Sequence, residues 1–271
     1  MTDLAQRTSA ATARFGEGAR TRVVGNLYVL AAPGSVKALF DAAASLLERA
    51  LPPLFDRRFD RRPDAGVSVL FFASRSAFDA FALERSSVLG SGNAGLYERS
   101  SRVIAVDLSG GAAFLPTLTH EIVHPILEAD FPLAPVWLNE AVASVFEAPV
   151  FTQDGGIHGA RETWRYAELK AFRAVPRTRA LVRIDSLFGM SGPTFRGLSE
   201  DRQSMDLERG RLHAAVARGF AVWLDEQGLL WPFYRAWRDE VGADPTGEKT
   251  FTALLGTSLE AANVTWLAWV R

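Results

Sequence analysis

Two histidines four apart, in His120-Glu121-Ile122-Val123-His124, are followed sixteen positions later by Glu140 in Trp137-Leu138-Asn139-Glu140, and this constrains the chain more than any other feature. Residues four apart stack on one face of a helix, so a helical 120–124 sends both imidazoles to one metal ion. Glu121 then sits about 100° around the helix, near enough to reach a water at the metal but not the metal itself. The fold must bring a second element carrying Glu140 close to the first.

The flanking residues say how. Pro116 suits the first position of the metal helix. Pro125, directly after His124, removes the backbone bond to the carbonyl of Glu121 and disfavours α geometry at His124, so a kink is expected just after the last ligand. Pro135 starts a second helix that ends before Pro149. On it Glu140, Ala143, Ser144 and Glu147 form one stripe, and small Ala143 permits close approach. His120, His124 and Glu140 would leave a fourth position for water, the pattern of catalytic rather than structural zinc. Glu147 is placed to accept the free ring N–H of a ligand histidine, with a plain surface carboxylate as the alternative.

Composition narrows the chemistry. The chain has no cysteine, which excludes disulfides, thiol nucleophiles and thiolate-bound zinc, so any metal is held by His and carboxylate. A net charge of −1 over 271 residues offers no general attraction to nucleic acid or anionic membrane. The length suits one large domain or one unit of two lobes. Residues 1–20 are polar and alanine-rich and do not read as a signal peptide. No apolar run approaches the roughly 20 residues that span a bilayer.

Along the chain, Arg22–Ala32, Val67–Ala73 and Arg102–Asp107 read as strands, and Ser35–Ala50 and Arg75–Leu83 as helices. Phe55–Asp64 repeats Phe-Asp-Arg-Arg and reads as a solvated, self-paired charged loop rather than a binding patch. Gly90-Ser91-Gly92-Asn93-Ala94-Gly95 matches a dinucleotide motif, but a helix precedes it and a strand follows, the reverse of what a pyrophosphate needs. Helices are expected near Thr163–Ala174, Arg211–Gln227, Pro232–Val241 and Ser258–Val270. Trp223, Trp231, Trp237, Trp266 and Trp269 fall at helical spacings and read as core.

Trp137-Leu138-Asn139-Glu140-Ala141-Val142-Ala143-Ser144-Val145-Phe146-Glu147 resembles the WLNEGxAxxxE segment of the gluzincin metallopeptidases. Together with the HExxH stretch, Tyr28–Glu147 is similar to the bacterial "peptidase MA-like" domains. Ala141 stands where that family usually has glycine. The resemblance implies an α+β fold, with a small mixed β-sheet lobe carrying the zinc helix and then a helical C-terminal lobe, of thermolysin-like architecture. The expected division is 1–20, 21–150 and 151–271. It implies Zn2+ at His120, His124 and Glu140, Glu121 as general base, and a peptide or protein substrate added as a strand along Asn93 to Tyr97, with Asn93, Ala94 and Gly95 as its binding residues. No carboxylate lies in 91–97 to hold a substrate amine, which favours an endopeptidase over an aminopeptidase. Such peptidases take a second oxyanion donor from the helical lobe, for which His213 is the candidate, ahead of Tyr166 and His158. A second reading, drawn from Pro125 and Ala141, is a binding or scaffold module that keeps the fold, and the metal, without turnover.

Overall fold

The computed structural model describes residues 2–56, 58–85, 94–199 and 204–271. The chain forms two compact units, Met1–Asp130 with Phe151–Ile157, and Phe131–Val150 with His158–Arg271. It is mixed α and β, with a mixed sheet and a helical C-terminal region.

The first unit is built on strands β1 (Arg20–Val24), β2 (Tyr28–Ala32), β3 (Val67–Phe72), β4 (Gly95–Glu98) and β5 (Val103–Asp107), in the order β1-β2-β3-β5-β4. The central three run parallel, and β1 and β4 are antiparallel edges. Arg22–Ala32 was expected as one strand. It is a hairpin, because Gly25 and Asn26 both take φ near +60° (63° and 53°) and turn the chain back on itself.

β3 is buried along its whole length, as expected of a parallel strand covered on both faces. Its side chains alternate. Phe71 meets Phe40 and Phe114 on one face, while Phe72 meets Phe15, Phe78 and Phe81 on the other. Helices α1 (Asp3–Phe15) and α3 (Arg75–Arg85) therefore cover one face and α2 (Lys37–Phe55) the other. α1 was expected as a polar segment. Its apolar stripe is narrow, with Ala11 and Phe15 packed on the core, and Arg7 adds to the docking by donating to Ser68 Oγ and to the Ser101 carbonyl. The Phe-Asp-Arg-Arg loop is less solvated than expected. Phe59 is buried, and Asp130 accepts from the N–H groups of Asp60 and Arg61.

The chain then forms α4 (Leu115–Glu121) and α5 (Val123–Asp130), which carry the HExxH residues. Period-2 alternation along β4 turns Leu96 toward the α1/α3 core and leaves Gly95 and Tyr97 on the α4 face.

The second unit begins with α6 (Val136–Val145). A two-stranded sheet follows, β6 (Pro149–Phe151) with β7 (Ile157–Gly159), of which Phe151 and Ile157 count with the first unit. Then come α7 (Trp164–Ala174), α8 (Pro176–Arg179), α9 (Gly192–Phe195), α10 (Leu207–Glu226), α11 (Leu230–Glu240), α12 (Glu248–Leu255) and α13 (Leu259–Trp269). The core here is aromatic: Trp137 packs with Phe188, Phe220 and Trp237, and Phe233 and Phe251 complete the cluster. Trp223, Trp231, Trp237 and Trp266 are buried as expected, and Trp269 packs its edge on Tyr166. Among the described residues no helix is long and apolar enough to cross a membrane.

Candidate metal centre

The missing N–H of Pro125 leaves its mark one turn upstream. α4 ends at Glu121, Ile122 forms a turn, and α5 resumes at Val123. The expected kink after His124 is thus a break between the two histidines. Its position follows from the bond Pro125 cannot make, which would have gone to the carbonyl of Glu121. Tyr28, fully buried on β2, donates its hydroxyl to the Ile122 carbonyl at 2.6 Å. Desolvation raises the Tyr28 pKa well above the ordinary phenol value, so the hydroxyl keeps its proton.

Across this break the rings of His120 and His124 stand 4.8 Å apart between centroids, at 79° to one another. One ligand atom each from His120, His124 and Glu140 lies within 4.8 Å of the others. Donors that share one zinc at about 2.1 Å span no more than about 4.2 Å. Small side-chain rotations bring three such groups onto an ion, and two imidazoles with one carboxylate suit a divalent metal. Buried Glu121 holds Oε2 3.8 Å from His124 Nε2. It is beside the cluster without being one of its three members.

β4 supplies the next layer. A Cβ on Gly95 would stand 2.4 Å from Thr117 Cγ2 and 3.1 Å from Glu121 Oε1, so only glycine lets the edge strand lie this close to Glu121. Tyr97, two residues on, stacks on His124 with centroids 6.3 Å apart and donates to Glu128 Oε2 at 3.0 Å. Glu128 also accepts from Arg99 Nε at 2.6 Å. Burial first, and the Glu128 charge second, push the Tyr97 pKa upward, which keeps this hydroxyl a donor. Sequence reading missed Tyr28 and Glu128, and took Tyr97 only as the end of the substrate strand. The alternation from Gly95 to Tyr97 was a usable signal for Tyr97, whereas nothing local marks Tyr28.

The other expected site residues fall as follows. Asn93 lies outside the described residues. Ala94 is half-buried and gives its carbonyl to the N–H of Asp107 at 2.8 Å. Glu147 is not on α6, which ends at Val145 as the chain turns toward Pro149, so it leaves the stripe of Glu140. Its two oxygens accept from Arg165 Nε at 2.9 and 2.7 Å. Arg218, buried on α10, donates to the carbonyls of Ser144, Ala160 and Arg161; burial lowers its pKa to about 10, against the opposing pull of the Glu147 charge. His213 is buried with Nδ1 3.2 Å from the Phe195 carbonyl, and desolvation lowers its pKa. It lines a cavity of about 940 Å³ with Arg183, Met190 and Arg209, and none of His120, Glu121, His124 or Glu140 lines that cavity. Tyr166 donates to the Trp269 carbonyl, and His158 is exposed.

Comparison of the chain with models of known protein families and with curated proteins finds no match.

Proposed function

We propose that this chain is a zinc-dependent peptidase of gluzincin type. The observation that carries the reading is the convergence of His120, His124 and Glu140 within 4.8 Å, with the Glu121 carboxylate next to His124 but outside the ligand group. Two imidazoles and a carboxylate are the ligand set of an open zinc site. Zinc held there supplies a Lewis acid for the scissile carbonyl and lowers the pKa of water at the site toward about 7.

The protein's own groups do the rest. Glu121 takes the proton of the attacking water and returns it to the leaving amine. β4 is an edge of the sheet, and a substrate backbone can add to it as a further strand, over Gly95 and so beside Glu121.

The test is metal content together with proteolysis. Protein purified without added metal is expected to carry about one zinc per chain and to cleave an unstructured substrate such as casein, with loss on chelation and recovery on adding zinc. His124→Ala should lose the metal; full zinc occupancy in that variant overturns the ligand assignment. A wild-type chain that holds zinc yet cleaves nothing is instead a non-catalytic module that has kept its metal.

A further inference from the structure

We propose that Tyr28 is a positioning residue for the metal site: through its 2.6 Å hydrogen bond to the Ile122 carbonyl it fixes the turn between the two halves of the HExxH segment and thereby sets the direction from which His124 meets the ion. The inference rests on the reading of His120, His124 and Glu140 as metal ligands.

In an unbroken helix the angle between residues 120 and 124 is set by the backbone bonds of the intervening turn. Here Pro125 has no N–H to offer Glu121, and the helix is interrupted at Ile122, midway between the two ligands. A softened turn at that point lets the His124 half swing relative to the His120 half. Ligand geometry at a metal tolerates little such freedom, since outer contacts that orient a ligand are commonly worth 10–100-fold in metal affinity. The Tyr28 hydroxyl restores a rigid contact at the interrupted residue. It comes from a fully buried position on β2, paired to β1 on one side and β3 on the other. A donor on such a strand has little freedom of its own. Tyr97 acts on the His124 ring by stacking.

Cobalt(II) is the probe, because its visible absorption reports ligand geometry directly. Wild type, Tyr28→Phe and Tyr166→Phe are compared as full chains for cobalt affinity, by chelator competition, and for the cobalt spectrum. Tyr166→Phe is the control: it too removes a tyrosine hydroxyl that donates to a backbone carbonyl, that of Trp269, in a buried setting remote in sequence from the ligands. Tyr28→Phe is expected to bind cobalt about 10–100-fold more weakly and with a shifted spectrum. Tyr166→Phe should leave both unchanged at a comparable loss of stability. Wild-type affinity and spectrum in a folded Tyr28→Phe overturn the inference while leaving the metal reading intact. Equal effects in the two variants overturn it as well, since they reduce Tyr28 to general stability. No cobalt bound by wild type at all overturns the metal reading, and this inference with it. Should Tyr28→Phe not fold, Pro125→Ala decides. Restoring the backbone N–H regularises the turn and is expected to move the cobalt spectrum; an unmoved spectrum and affinity overturn the proposal.

Discussion

Glu121 and Glu147 are two buried carboxylates with different surroundings, and the difference dictates what each substitution does. Glu121 stands beside His124 and under Gly95, outside the three-ligand group, and the proposed mechanism gives its carboxylate the proton of the attacking water. Glu121→Gln keeps size and hydrogen-bonding capacity but cannot accept that proton. Zinc content is expected to stay at wild-type level while turnover falls by about 10²–10⁴-fold. Metal analysis and a proteolysis rate on the same preparation check this, and equal rates for parent and variant remove Glu121 from the mechanism. Glu147 engages Arg165 with both oxygens, and its charge also favours the protonated form of buried Arg218. Removing one partner of a buried pair costs roughly 3–5 kcal/mol. Arg165 is about a fifth exposed (20%), which reduces the expected cost of Glu147→Gln to about 2 kcal/mol in denaturant unfolding. The same variant separates two roles. A 10–100-fold loss of zinc affinity makes Glu147 an orienting partner of a ligand histidine, whereas unchanged affinity with lost stability assigns it to the arginines alone.

At the scale of elements, the closest approach in the site is that of β4 to α4. Gly95→Ala places a methyl group 2.4 Å from Thr117 Cγ2 and 3.1 Å from the Glu121 carboxylate. Such an overpacked contact typically costs 1–3 kcal/mol, so about 2 kcal/mol of stability is expected to be lost. Relief requires β4, Thr117 or Glu121 to move, and a shift of β4 or Glu121 should lower turnover by at least about tenfold with zinc retained. A variant with wild-type turnover separates the edge strand from catalysis. These elements differ in how plainly the sequence announced them. β3 and β5 were legible as short, almost wholly apolar runs, and α6 from Pro135, Trp137 and the carboxylate after it. The hairpin of β1 and β2 was missed because Gly25-Asn26 sits inside a β-branched run that reads as continuous. α1 was missed because its buried stripe is sparse, resting on Ala11 and Phe15, and the polar contacts of Arg7 that complete its docking leave no apolar mark. The break at Ile122 was half legible: Pro125 announced a disturbance, but the bond it removes lies one turn back. The side chain that bonds to the carbonyl at the break, Tyr28, lies 94 residues away in sequence, and no local pattern encodes such a contact.

At the scale of the molecule, the division of the chain is one that a left-to-right segmentation into 1–20, 21–150 and 151–271 has no means of expressing. Residues 131–150 belong to the second compact unit, and 151–157 return to the first. That exchange makes a spectroscopic test possible. All seven tryptophans of the sequence fall between Trp137 and Trp269, within the second unit, so intrinsic fluorescence follows its unfolding. Glu140 is in the same unit, three residues from Trp137 in the aromatic core. A ligand that binds the native state and not the unfolded chain stabilises by about 2.7 kcal/mol at a hundred times its Kd. For a unit of this size that corresponds to a rise of about 5–10 °C in the thermal midpoint. Zinc at that concentration is therefore expected to raise the tryptophan-monitored midpoint by this amount, and chelator to return it. Glu140→Ala should abolish the dependence on zinc, its midpoint being the same with zinc and with chelator. A zinc-independent midpoint in the wild type, or a full zinc shift in Glu140→Ala, takes Glu140 out of the ligand set.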